Sequence, residues 1–547
     1  MAWEAGPPSP TRREPYSTEP VSGAPSVRAG ALAVILAIAF ADASVSQGSA
    51  ADDLVAAGQR LYREGRNDSG EAVSAVVQGD VPVIGTQVTC QSCHGRSGMG
   101  AIESGRVPSV LAGPLLFAPD AQRRRPGYTE TSLAQALREG IDPAGQALDP
   151  LMPRFRLGDR DVAALAAYLR QLGAAPAPGV GPTSVRLATV VAGAVPPDEE
   201  RAMLDVLEAF VADRNRSGPQ RLRGGHAPGQ AKETFRAWEL DVWRLGGPST
   251  TWRTQLAARY RERPAFAVVS GLAAEGWQPI HDFCEAEEVA CLLPNADQAP
   301  SGTRGFYSLY FSEGLGLEAE ILASELLASG RGADVLQMAS GSAPGAADAA
   351  ERLGRALERR GGHARTEFVP DEPAGDAALS RAISTPASAV VVWVGRNAVR
   401  RLEAAGGSEP PLHFSSTLLE ADWNAVPAAL RGRSQLAHLL RLPGAPDPPR
   451  ERFRAWAAGR GVSRRHERVQ AQTFFACLAT AESIKHVGRY PSREYLMDLL
   501  DHASNLAAYL PLYPRPGFGP GQRVLNRGGY LVDLSGRRGP AWVVPSP

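Results

Sequence analysis

"VTCQSCHGRSGMG", residues 88–100, places Cys90 and Cys93 two residues apart, with His94 immediately after them. Two thiols at i and i+3 on a tight turn can reach the same flat partner, and the histidine behind them adds an imidazole to one face of it. Four chemistries draw on such a pair: covalent attachment of a haem, a zinc clip, a redox dithiol, or a plain disulfide.

The rest of the chain separates them. A structural zinc site needs four ligands, but the next cysteine is Cys284 and His94 is the only histidine before residue 226, so the tetrahedron cannot be completed locally. A thioredoxin-like dithiol would follow a strand in a βαβ setting, whereas residues 51–173 read as helical. A bare disulfide leaves the adjacent histidine without a purpose. The dominant reading is one haem c, with thioether bonds from Cys90 and Cys93 and the iron ligated by His94.

A low-spin electron carrier needs a sixth iron ligand, and between residues 51 and 175 there is no second histidine and no lysine, only Met99 and Met152. Met99 lies six residues past Cys93, on the proximal strap, and cannot easily wrap to the opposite face. Met152 follows His94 by 58 residues in "LDPLMPRFRLGDRD", where a loop can close over the distal side; its plainer reading is a buried gap-filler. Thioether ligation raises the reduction potential relative to bis-histidine ligation. A haem enzyme needs an open iron, which Met152 would close.

The chain has 547 residues, enough for several structural units, and its 58 basic residues balance 58 acidic ones, which argues against nucleic acid as a partner. "ALAVILAIAF", Ala31 to Phe40, follows Arg28 and precedes Ala41 and Ala43, the pattern of an export signal with an A-x-A cleavage site. At about half the ~20 residues that span a bilayer, it is short for an anchor. Residues 1–50 are therefore expected to be an N-terminal extension and signal sequence, and the mature protein to lie in the periplasm.

Residues 51–173 are expected to be all-α. The strongest helix is "GDRDVAALAAYLRQLG", with Asp159 as N-cap, Val162, Leu165, Leu169 and Leu172 on one stripe, and Gly173 as its stop. Residues 174–184, small and proline-bearing, read as a linker. From 185 to 547, β-branched runs such as "VRLATVVAGA", "FAVVSGL", "DVLQMAS" and "SAVVVWVG" alternate with amphipathic helices, which implies parallel sheets covered on both faces and divided into two lobes. Cys284 and Cys291, on consecutive helix and strand of an exported chain, are expected to form a disulfide, and Cys477 to sit in the core.

Residues 52–172 resemble a class I cytochrome c: besides the C-x-x-C-H string, Gly58 and Tyr62 in "AAGQRLY" and Tyr168 in "AAYLRQL" match that family's crossing of first and last helices. Residues 184 to about 536 resemble type I periplasmic solute-binding proteins of the branched-chain amino acid receptor kind. That resemblance implies a small-molecule solute in the cleft, with Ser270 and Gly271 at one ligand-facing turn and Asn295 and Asp297 at a second, where amino-acid binders carry Ser or Thr. An acid at Asp297 would repel a carboxylate unless paired. The tail "LYPRPGFGPGQRVLNRGGYLVDL" resembles that of solute-binding proteins found beside quinoprotein alcohol-oxidation systems. Together these imply an exported electron carrier, not an enzyme, exchanging electrons with a periplasmic dehydrogenase or terminal oxidase. The alternative is a transport-type solute receptor or sensor with an accessory haem.

Overall fold

The computed structural model describes residues 50–100, 108–121, 124–223, 235–296, 298–300, 305–370, 374–403, 409–488 and 490–545. The stretch expected to be an export signal, Ala31 to Phe40, lies outside them, and among the described residues no helix is long and apolar enough to cross a membrane.

The helical domain is built on helix α1 (residues 50–64), α2 (Cys90–His94), α3 (Gly113–Leu116), α4 (Glu130–Arg138) and α5 (Asp159–Gln171). The apolar stripe of α5 is buried as its spacing predicts, together with Leu61, Tyr62, Leu133 and Leu137. The N-cap of α5 is Gly158 and not Asp159; the Gly158 N–H is satisfied by the Asp161 carboxylate at 3.2 Å. Asp159 is the first helical residue, where its charge favours the positive end of the helix. Gly173 ends the run at φ +70°, a left-handed position that suits glycine.

The domain is not purely helical. A small antiparallel sheet joins β1 (Ser74–Val77), β2 (Val81–Ile84) and β3 (Arg154–Phe155) in the order β2-β1-β3. "SAVVQGDVPVI" is a β-branched hairpin whose turn needs positive φ at Gln78 and Gly79, a signal too short to compete with the surrounding helical pattern.

The larger portion has two lobes, each on a seven-stranded sheet. The first comprises β4 (Ser184–Ala192), β5 (Ala237–Leu245), β6 (Ala267–Val269), β7 (Leu272–Ala273), β8 (Ala290–Leu292) and β9 (Ser308–Ser312), all paired in parallel. The second carries β10 (Val335–Ser340), β11 (Ala364–Val369), β12 (Ala389–Trp393), β13 (Leu412–Ser415) and β14 (Ser434–His438), also parallel. Late in the chain β15 (Val524–Asn526) returns to the first sheet beside β9, while β16 (Gly529–Asp533) and β17 (Ala541–Val543) close the second sheet antiparallel. The second sheet is thus mixed, because a chain arriving from β15 meets the free edge of β14 from the opposite end. Among the described residues the chain passes between lobes three times, after β9, after β14 and after β15.

Central strands such as β12, wholly buried, read as unbroken apolar runs because helices cover both faces. Cys284 and Cys291 are bonded, tying the helix Gln278–Ala286 to β8, and Cys477 is buried within the helix Glu467–Val487.

Candidate haem site and solute cleft

Gly58 sits where α1 crosses α5. A Cβ there would lie 2.0 Å from the Ala164 carbonyl oxygen and 2.8 Å from the Tyr168 Cβ, so only glycine permits this approach. Tyr62, one turn on, packs on Tyr168 with ring centroids 5.4 Å apart and donates its hydroxyl to the Gly95 carbonyl at 2.6 Å. The helix crossing therefore holds the turn that follows His94.

Cys90 and Cys93 lie on α2, just before that turn, and are not bonded to each other. Burial pushes the Cys90 thiol up to about 12, and Cys90 lines an apolar crevice with Leu61, Val88, Leu137, Phe155, Leu157 and Leu165. The His94 Nδ1 lies 2.8 Å from the Ser109 carbonyl oxygen. That bond assigns the ring proton to Nδ1 and leaves Nε2 as the free lone pair, as a metal-ligating histidine requires. Burial holds the imidazole below its ordinary value, so it is neutral at pH 7. Two cysteines one turn apart, one oriented imidazole and an apolar crevice suit a covalently held macrocycle with an iron centre.

Met152 is half-buried and packs on the same core as Cys90. Its loop is pinned by a residue that sequence reasoning passed over. Arg154 donates to the carbonyls of Met152 (2.5 Å), Leu148 (3.1 Å) and Asp149 (3.3 Å), while its backbone enters β3. Met99 follows the same turn as Gly95 and Ser97, its N–H bonded to the Ser97 hydroxyl at 3.1 Å.

In the first lobe, Ser270 and Gly271 do not cap a helix. They form a one-residue bulge: Val268 pairs with Ala188, but Leu272 pairs with Val191, and the helix begins only at Gln278. Ser270 takes φ +58° and Gly271 +138°, where a Cβ would meet the Trp277 ring at 2.4 Å. The bulge turns the Ser270 hydroxyl into a buried triad: Asn295 Nδ2 donates to Ser270 Oγ (2.9 Å) and Thr473 Oγ1 (3.0 Å), and the two hydroxyls lie 3.0 Å apart. Asn295 Oδ1, also buried, has no partner among the described residues. Thr473, from the helix Glu467–Val487, was invisible from sequence because it comes from a distant segment. Asp297 lies outside the described residues.

Ligands of open α/β sheets bind beyond the carboxyl ends of the strands. In the second lobe those ends present a polar group that the sequence reading missed. Ser416 Oγ lies 2.7 Å from His438 Nδ1, and the fully buried Glu318 accepts from the Ser415 hydroxyl and from the Thr417 N–H (3.1 Å) and hydroxyl (2.9 Å).

The portion in which α1 crosses α5 beside the Cys-x-x-Cys-His turn is the one that the family model described as cytochrome c matches, residues 55–173. No curated protein matches the chain. Among solved structures, the chain is similar to a fatty acid ABC transporter substrate-binding protein from Thermomonospora curvata (14% identity, 68% of this chain and 94% of that one, TM-score 0.47). It is also similar to a leucine binding protein from Thermotoga maritima (13%, 66% and 99%, TM-score 0.46). A branched chain amino acid ABC transporter from Thermus thermophilus with bound valine gives 12%, 64% and 94%, TM-score 0.47. The two-lobed architecture stands on the sheets themselves.

Proposed function

We propose that this protein is an exported one-electron carrier, and not a catalyst, with one haem c held by Cys90 and Cys93, His94 and Met152 as iron ligands, and a solute-binding fold attached. The observation that carries this reading is two cysteines, not bonded to each other, on one short helix with an imidazole whose Nδ1 is committed to Ser109, leaving Nε2 for a metal. When bound, the haem supplies a one-electron Fe(III)/Fe(II) couple. The chain's own residues do the rest: Tyr62 and Ser109 orient the strap, the crevice walls exclude water, and Arg154 holds the Met152 loop in one shape. Periplasmic dehydrogenases and terminal oxidases are the proposed exchange partners; a role in alcohol oxidation rests on the C-terminal resemblance alone.

The test is covalency. Protein matured in a host competent for c-type cytochromes should keep its haem stain through denaturing electrophoresis, and the Cys90→Ala/Cys93→Ala double variant should lose it. A wild-type chain without the stain sinks the proposal.

The second reading, a solute receptor with an accessory haem, draws on one specific observation. The unpartnered, buried Asn295 Oδ1 is an acceptor, and it favours a solute that brings a donor, such as an ammonium or hydroxyl group. A thermal-shift panel of amino acids, short alcohols, aldehydes and carboxylates tests it, since a true ligand raises the melting temperature by mass action. Stabilisation by carboxylates without donors, and by nothing else, would contradict it.

A further inference from the structure

The strap that follows His94 is held from two sides. From within its own domain, Tyr62 donates to the Gly95 carbonyl at 2.6 Å. From the first lobe of the solute-binding fold, the helix Arg493–Asp501 reaches it with the Asp498 carboxylate, whose Oδ1 accepts the Arg96 N–H (3.2 Å) and Oδ2 the Ser97 N–H (2.9 Å). Asp498 is 8% exposed and Ser97 3%, so solvent does not screen these bonds. Gly95 fits this contact: it takes φ +73°, and a Cβ there would lie 2.6 Å from Asp498 Oδ2.

The surrounding contacts make the interface rigid. Arg63 of α1 and Arg96 of the strap converge on Glu288 at 3.0 and 3.3 Å, and the Arg96 guanidinium lies over the rings of Phe306 and Tyr307 at 4.3 and 5.1 Å. Arg493, at the start of the Asp498 helix, is buried and donates to the carbonyls of Pro178, Ala265, Phe266, Glu287 and Glu288. That one guanidinium ties the linker and the edge of the first sheet to the helix that presents Asp498. A flexibly tethered carrier would need none of this.

We infer that Asp498 is a positioning residue for the haem, supplied by the solute-binding fold, which fixes the proximal strap and places a buried negative charge beside it that favours the ferric state. This rests on haem attachment at Cys90 and Cys93 as proposed above. Two backbone N–H groups point at the carboxylate and favour its charged form against burial and the neighbouring Asp501. Burial raises its proton affinity, so the measurement belongs at pH 8.

The experiment is spectroelectrochemical titration of the full-length haem protein. Asp498→Asn keeps an acceptor oxygen and drops the charge, and Asp498→Ala drops both. A unit charge lost from a partly desolvated site should raise the ratio of reduced to oxidised protein about tenfold at fixed potential, an upward shift of about 59 mV for one electron. Glu482→Gln, which removes a charge from the exposed face of the neighbouring helix, should leave the potential unmoved. Wild-type potentials in both Asp498 variants would overturn the inference while leaving haem attachment intact. Absence of haem in the wild-type protein overturns both. Should Asp498→Ala fail to fold, the nearly isosteric Asp498→Asn decides alone.

Discussion

Gly58→Ala is a severe test of the helix crossing beneath the haem site. The added methyl would sit 2.0 Å from the Ala164 carbonyl oxygen, against about 3.3 Å for the closest ordinary carbon–oxygen approach. No rotamer relieves a clash with backbone, so α1 and α5 must separate by about 1 Å. Overpacking of this kind costs about 1–3 kcal/mol. Alanine returns about 1 kcal/mol through helix propensity. Separation also stretches the 2.6 Å bond from Tyr62 to Gly95, worth about 1 kcal/mol. The net is a loss of about 1–3 kcal/mol, or a melting temperature lower by about 4–12 °C for a domain of this size. Thermal melts followed at the haem absorption band isolate this domain from the lobes. Gly246→Ala, at a glycine with open space around it, serves as the control. A Gly58→Ala variant melting at or above wild type would refute the close-crossing argument.

Three further outcomes are expected. Replacing both Cys284 and Cys291 by alanine releases a loop spanning a sequence separation of 7 and should cost about 2.5 kcal/mol by loop-closure entropy, visible as a lower melting temperature of the first lobe. His413, buried with neither ring nitrogen partnered among the described residues, has its affinity for protons lowered by burial to about 4. Because that lies below its unfolded value of about 6.5, the unfolded chain binds the extra proton first, and ~3 kcal/mol present above pH 6.5 is lost as pH falls to 4. Denaturant midpoints of His413→Leu should fall less than those of wild type between pH 7.5 and 4.5; parallel curves would count against it. Arg154→Ala, which frees the carbonyls of Leu148, Asp149 and Met152, should loosen the distal loop and let added imidazole displace the methionine at about tenfold lower concentration.

The architecture was legible where burial is uniform. β4, β6 and β12 announce themselves as β-branched runs because both faces are covered, and the stripe Val162, Leu165, Leu169, Leu172 announces α5 because one face is. Edge strands were illegible for the converse reason. In β5 "AWELDVWRL" and β11 "ARTEFV" half or more of the positions meet water, and their Glu, Asp and Arg residues mask the pattern. A candidate haem site could be proposed from sequence because its motif is local, three residues on one turn. The candidate cleft could be read only in part: Ser270 and Asn295 follow strands within 25 residues of one another, whereas Thr473 lies 178 residues past Asn295, on a segment that returns to the first lobe after β14, and Glu318 lies 97 residues before Ser415. The docking of Asp498 on the strap spans about 400 residues of sequence and left no local trace.

The sixth ligand is where sequence and geometry meet most tightly, since Met152 was chosen by elimination and its loop is clamped by Arg154. In the oxidised protein a weak methionine-to-iron absorption band in the far red should be present, and Met152→Ala should abolish it while the Met99→Ala band stays. A band that survives Met152→Ala, or vanishes with Met99→Ala, would contradict the His94/Met152 assignment.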